Sequence, residues 1–87
     1  MPMFGANPEQ LADLGRQLQR QIDHIETITS TVQTALGGTT WVGPAREHFE
    51  AEWSGSFRQA LTRLSQAFDT AGRDCQQRAT ELTRVMG

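Results

Sequence analysis

The sequence predicts an all-α fold, an antiparallel helix-turn-helix hairpin built from two long amphipathic helices. Apolar residues recur every three or four positions through two long segments, which is the spacing of one helix face. A proline stands at the start of each segment, and a glycine-rich stretch separates the two. No segment alternates apolar and polar residues as a strand does. With 87 residues, the chain is predicted to form a single domain over 1–87.

The first helix is predicted over about residues 8–36. Asn7 suits the N-cap position and Pro8 suits the first helical position. Gly37 and Gly38 then supply a C-terminal stop. The apolar residues of this helix cover an arc of roughly 120–140°, which is wider than a strict coiled-coil seam. They are Leu11, Leu14, Leu18, Ile22, Ile25, Ile28, Val32 and Leu36.

A turn is predicted over about residues 37–43 and the second helix over about 44–86, with Pro44 at its first position. The apolar residues of this helix form one stripe of about 120°. Glu50 and Arg78 are the charged residues inside that stripe. Its large apolar members are Phe49, Trp53, Phe57, Leu61, Leu64, Phe68, Leu82, Val85 and Met86.

Both stripes are broader than one helix–helix seam needs, so a lone hairpin is expected to leave apolar surface uncovered. The simplest cover is a second hairpin, which gives a four-helix bundle. A domain this small has a thin stability margin, and its one cysteine cannot form an internal disulfide, so a partner is the remaining remedy. The residues expected at the partner interface are Leu11, Leu14, Leu18, Ile25, Val32, Phe49, Trp53, Phe57, Leu61, Leu64 and Phe68.

Composition and motif content argue against several functions. The net charge is −2, so no basic surface for nucleic acid is predicted. No nucleophile–base pair, phosphate loop or metal-ligand spacing is present, so we predict no enzyme activity, no cofactor and no metal site. The N-terminus lacks the pattern of a signal peptide, and no apolar run approaches membrane-spanning length.

The triplet Trp-x-Gly occurs twice. Trp41-Val42-Gly43 lies between the predicted helices, where a turn is needed. Trp53-Ser54-Gly55 lies two to three turns inside the second helix, where Trp53 is predicted to stack with Phe49 and Phe57 on the apolar stripe. We therefore interpret the first triplet as the functional motif and the likeness of the second as chance.

A Trp-x-Gly near mid-chain, between two long amphipathic helices in an acidic protein of this length, resembles the WXG-motif family. The run from Gly43 to Trp53, Gly-Pro-Ala-Arg-Glu-His-Phe-Glu-Ala-Glu-Trp, is similar to the family's sequence after the turn. Members are small helical hairpins that type VII secretion systems export from actinobacteria and firmicutes. The resemblance implies that Trp41 packs across the turn and is read by the secretion ATPase or another partner. It also implies that Gly43 lets the backbone enter the second helix closely.

The resemblance further implies a non-enzymatic secretion substrate or secretion partner, cytoplasmic before export and secreted afterwards without a cleavable signal. It would form a homo- or heterodimer with another hairpin of this type or with the N-terminal hairpin of a larger toxin. Many such pairs carry Tyr-x-x-x-Asp/Glu near one C-terminus, and this sequence contains no tyrosine, so a partner is expected to supply that signal. The alternative is a membrane-active, pore-forming effector, against which the balance of acids and arginines argues.

Overall fold

The structure, a computed structural model, describes residues 6–86 and shows an all-α hairpin with extents of 62 × 20 × 14 Å. Helix α1 spans Pro8–Gly37, α2 spans Pro44–Glu52, a π-helical turn spans Trp53–Phe57, and α3 spans Arg58–Met86. No strand occurs between residues 6 and 86. The predicted fold class is therefore confirmed. Residues 1–5, on which the prediction of no signal peptide falls, and Gly87 lie outside the described part.

Helix α1 begins as its sequence predicts, but its C-terminal end is capped differently from the glycine stop that the sequence suggests. The Oδ1 atom of Asn7 accepts a hydrogen bond from the backbone N–H of Gln10 at 3.0 Å, which satisfies one free donor of the first turn. At the other end, Gly38 has φ −93° rather than a left-handed conformation. The hydroxyl of Thr39 instead donates to the Ala35 carbonyl at 2.6 Å, so a side chain satisfies one of the last carbonyls of the helix.

Helices α1 and α3 pack antiparallel along one seam in which Ile25 and Ala79 are buried. The two backbones come close together at Gly15 and Gly72. A Cβ atom added at Gly15 would lie 2.9 Å from the Gly72 carbonyl oxygen, and one added at Gly72 would lie 3.1 Å from the Gly15 carbonyl oxygen. The absence of side chains at these two positions therefore allows the helices to meet. The remaining seam residues, all at least partly buried, are Leu11, Leu18, Ile22, Thr29, Val32, Leu36, Leu61, Ser65, Phe68, Cys75 and Leu82.

The π-helical turn interrupts what the sequence predicts as one uninterrupted α-helix. Trp53 is buried, and Leu61, eight positions later, lies on the α3 side of the seam. Eight residues of ideal α-helix would rotate Leu61 by about 80° from the direction of Trp53. The wider π turn takes up the extra residue and so lets both side chains face the interior.

This shift divides the predicted apolar stripe of the second helix into two. The inward part is the seam that begins at Leu61. The outward part is exposed and consists of Phe57, Ala60, Leu64, Ala67 and Ala71, spaced three and four residues apart. The outward part is referred to below as the outer stripe.

Candidate functional site

The turn between α1 and α2 is closed by a row of three aromatic rings. The ring of Trp41 lies 6.5 Å from that of Phe49, centroid to centroid, at an interplanar angle of 43°. Phe49 in turn stacks on Trp53 at 6.3 Å and 8°. The predicted stacking of Trp53 on Phe49 is present, but the prediction that Phe57 joins it is wrong. The π turn directs Phe57 outward, where it is 45% exposed.

The two Trp-x-Gly triplets occupy different environments. Trp41 is 40% exposed and lies outside any helix, whereas Trp53 is buried at the start of the π turn. Val42, between Trp41 and Gly43, is almost fully exposed. Trp41 and Phe49 also border an apolar groove of about 360 Å³ at the turn end of the hairpin. Its other lining residues are Thr31, Val32, Ala35, Leu36 and Thr39.

Gly43 holds a backbone conformation that other residues rarely adopt. Its dihedral angles are φ +132° and ψ 179°, a region essentially restricted to glycine. No atom lies within 4 Å of a Cβ added there, so the space is open. Glycine is required here by the backbone angle and not by crowding around its α-carbon. Helix α2 then starts directly, with Pro44 at its first position and the Glu47 N–H donating to the Gly43 carbonyl at 3.2 Å.

Arg46, which the sequence-based prediction did not single out, holds the turn together. Its Nη2 atom donates to the Leu36 carbonyl at 2.8 Å, at the C-terminal end of α1. Its Nη1 atom donates to the carbonyls of Thr39 at 2.9 Å and Trp41 at 3.1 Å. Its Nε atom pairs with Glu50 Oε1 at 2.6 Å, and the arginine side chain is only 21% exposed. One side chain thus joins the end of α1, the turn and the start of α2.

One signal in the sequence could have revealed Arg46. A positive charge in the first turn of a helix faces the positive end of the helix dipole, which is unfavourable. Arg46 is the third residue of α2, so its position calls for a compensating partner. Glu50 supplies that partner one turn later, which also explains the charged residue within the apolar stripe of the second helix.

The two broad faces of the hairpin differ in polarity. Gln19 and Asp69 each come directly after a seam residue, and the Gln19 amide donates to the Asp69 carbonyl at 3.1 Å. The residues that follow seam positions on α1 and on α3 therefore lie on the same face of the hairpin. Residues that precede seam positions must therefore share the opposite face, because each lies about 100° to the other side of its helix.

That opposite face is the more apolar of the two and is called the apolar face below. On α1 it carries Leu14 and Ile28, each 49% exposed. From the second arm of the hairpin it includes Phe57 of the π turn and Leu64 of α3, at 45% and 44%. Its small members are Ala35, Ala60, Ala67 and Ala71. The polar residues on this face between Leu14 and Ile28 are Gln17, Gln21 and His24. Trp41 lies at its turn end, beside Ala35 in the groove described above.

The residues predicted at a partner interface divide between the two environments. Leu14, Phe57 and Leu64 are exposed on the apolar face. Phe49 and Trp53 belong to the aromatic row under the turn. The others lie in the hairpin's own seam between α1 and α3, and they are Leu11, Leu18, Ile25, Val32, Leu61 and Phe68.

A charged pair ends the outer stripe toward the C-terminus of α3. The Nε atom of Arg78 donates to Asp74 Oδ2 at 2.8 Å. This hydrogen bond and the negative charge of Asp74 raise the pKa of Arg78 above its ordinary value. Because both side chains are well exposed, the pair contributes little to stability. The charged pair does limit the outer stripe to the stretch from Phe57 to Ala71.

Within residues 6–86, no group of three or more histidine, cysteine, aspartate and glutamate side chains is placed to hold a metal ion. In that same part of the chain, no helix combines the length and the hydropathy needed to cross a membrane.

The fold and the Trp41 turn define a class of small helical-hairpin proteins with a Trp-x-Gly motif between their arms. Residues 4–85 match the family model described as WXG100, proteins of 100 residues with WXG. The chain therefore belongs to the WXG100 family, whose members are small helical proteins secreted by type VII systems and form dimers of helical hairpins. No curated protein and no solved structure matches the chain.

Proposed function

We propose that this chain is a non-enzymatic type VII secretion substrate or secretion partner that acts as one half of a helical dimer. The observation that carries the proposal is the apolar face. Four large side chains, Leu14, Ile28, Phe57 and Leu64, are about half exposed on one side of a narrow hairpin. Large apolar side chains exposed together on one face are typical of a protein–protein interface.

The geometry of the apolar face suits a partner made of helices. The outer stripe from Phe57 to Ala71 has the three-and-four spacing that packs against another helix. Large residues alternate with alanines along it, so a partner helix can place its own side chains over the small positions. A second hairpin laid on this face would complete a four-helix bundle. The partner is either another copy, a different hairpin of the family, or the N-terminal hairpin of a larger secreted toxin.

The turn serves the second half of the proposed function. Trp41 and Val42 remain exposed at one end of the hairpin, on a backbone fixed by Gly43 and Arg46. A rigid, exposed aromatic residue is a common anchor in recognition sites. We propose that the secretion ATPase or another component of the export machinery binds this turn, while the apolar face binds the dimer partner.

Light scattering coupled to size-exclusion chromatography tests the pairing surface. We expect the purified chain to run as a dimer, or else to form one when it is co-expressed with the product of the neighbouring gene. Leu64→Asp places a charge in the centre of the outer stripe and should raise the dissociation constant at least 100-fold. Thr62→Asp is the matched control, because Thr62 is exposed on the opposite face of the same helix. Circular dichroism of both variants confirms that the helices are retained.

A dimer that tolerates Leu64→Asp as well as it tolerates Thr62→Asp would show that the apolar face is not the interface. A chain that stays monomeric alone and with every co-expressed hairpin would refute the dimer itself.

The exposed apolar face also favours a second candidate, a membrane-active effector. Interfacial helices that bind lipid usually carry a basic polar face. This chain has 10 acidic and 8 basic residues, which gives anionic lipid little to attract. Leakage of anionic liposomes at neutral and acidic pH separates the two functions. We expect none from the dimer, and leakage by the purified protein alone would favour the membrane-active function.

A further inference from the structure

We propose that Arg46 is the positioning residue of the Trp41 turn, and that the turn is recognised only while Arg46 holds it. The recognition half of this inference rests on the proposed function. The positioning half concerns the structure of the chain by itself. Arg46 donates to three backbone carbonyls that precede it by ten, seven and five residues, so its side chain bridges both ends of the turn.

Apart from Arg46, few contacts order the turn. Within residues 6–86, the hydrogen bond from Arg46 to the Trp41 carbonyl is the only one that reaches Thr40, Trp41 or Val42. The side chain of Trp41 adds one aromatic contact, with Phe49. A loop with so few restraints opens easily, so the loss of Arg46 should loosen Trp41 while the helices stay formed.

The electrostatics at the end of α1 and beside Glu50 also favour a cation at Arg46. The Leu36 carbonyl belongs to the last turn of α1, where the helix dipole is negative and carbonyls lack partners within the helix. A guanidinium group there is favourable. Glu50 offsets the cost of the same charge at the start of α2 and orients the guanidinium through Nε. The charge of Arg46 is thus stabilised on both sides of the turn, and its side chain is mostly buried.

The contacts that Arg46 makes require arginine rather than lysine. Nη1, Nη2 and Nε all donate at once, in directions that a planar guanidinium fixes. The single ammonium group of lysine carries charge to the same place but cannot span the Leu36 carbonyl, the Trp41 carbonyl and Glu50 together. Arg46→Lys therefore separates the geometric requirement from the requirement for charge.

Backbone NMR relaxation measures the positioning directly. In the wild type we expect order parameters near 0.85 through the turn. In Arg46→Gln those of Thr40, Trp41 and Val42 should fall below about 0.6, with Arg46→Lys in between. Amides of the seam, such as that of Ile25, should keep their order parameters. Arg63→Gln is the control, since Arg63 is exposed on α3 and far from the turn along the chain.

Unchanged turn order parameters in Arg46→Gln would overturn the inference. So would a variant that loosens seam and turn equally, because Arg46 would then support the fold as a whole. Turn order parameters in Arg46→Lys equal to those of the wild type would show that the charge, and not the geometry of the guanidinium donors, positions Trp41.

Export from a host that secretes the wild-type chain tests the recognition half. We expect Arg46→Gln and Trp41→Ala each to lower the exported fraction at least 10-fold, and the double variant to lower it no further. Normal export of both single variants, with a loosened turn in Arg46→Gln, would refute turn recognition and leave the positioning role intact. Normal export of Arg46→Gln beside failed export of Trp41→Ala would overturn the link between the two residues.

Discussion

Gly15→Ala should destabilise the hairpin even though alanine is the better helix former. In an exposed helix, replacing glycine by alanine stabilises by about 1 kcal/mol. At Gly15 the new methyl group would lie 2.9 Å from the Gly72 carbonyl oxygen and 3.3 Å from the Cys75 Cβ atom. It would also lie 2.7 Å from Gln76 Cγ, but that side chain is exposed and can move away. The carbonyl is part of a helix backbone, so α1 and α3 must separate by several tenths of an ångström.

Overpacking of this kind typically costs about 1–3 kcal/mol. After subtraction of the gain in helix propensity, the expected net loss in the free energy of unfolding is about 1 kcal/mol. With a urea m-value of about 1 kcal/mol/M, the unfolding midpoint should fall by about 1 M.

The matched control is Gly37→Ala. Gly37 is the last residue of α1, has no positive φ, and has no atom within 4 Å of an added Cβ. This variant should be neutral or slightly stabilising, because only the propensity gain applies. Urea unfolding followed by circular dichroism compares the two at one protein concentration, since dimerisation makes the midpoint concentration-dependent. If Gly15→Ala proved as stable as Gly37→Ala, the close crossing of α1 and α3 would not be a constraint on the fold.

Three further predictions concern the turn and the second helix. Trp53→Ala should lower the free energy of unfolding by about 3–5 kcal/mol, because it empties a buried site. Trp53→Phe should lower it clearly less, because the indole N–H that it removes is buried without an acceptor among the described residues. Urea unfolding of both variants measures the difference. Deletion of Ser54 should remove the extra residue of the π turn, so that the second arm becomes regular α-helix and the seam stays in register. Deletion of Thr70, within α3, should instead break the register and unfold the chain. Equal helicity of the two deletion variants by circular dichroism would contradict this. Gly43→Ala should cost about 1–3 kcal/mol in unfolding free energy despite the open space around it, and no loss would show that the positive φ is not required.

The local features of the fold were predictable because they depend on neighbours in the sequence. Asn7 and Pro8 encode the start of α1, and the hydrogen bond from Gln10 to Asn7 bears this out. Apolar spacing predicts both long helices and a stripe broader than one seam, and Leu64 illustrates the exposed remainder.

The π turn could not be predicted in the same way. A stripe of about 120° contains both the inward and the outward residues of the second helix, and a wheel of regular periodicity merges them. Only the pairing of α3 with α1 requires Trp53 and Leu61 to face the same direction. The eight-residue separation between them, rather than seven, is the signal in the sequence that a register argument could have used.

The sequence by itself determined that this chain forms two amphipathic helices joined by a turn at Trp41, because helix propensity, capping and periodicity act over a few residues. The tertiary structure decided which apolar residues the hairpin keeps for its own seam and which it leaves on the apolar face. It also decided that Gly15 and Gly72 are a point of contact and that Arg46 holds the turn. These outcomes depend on distances between groups on different helices, and such distances exist only once α1 and α3 have packed.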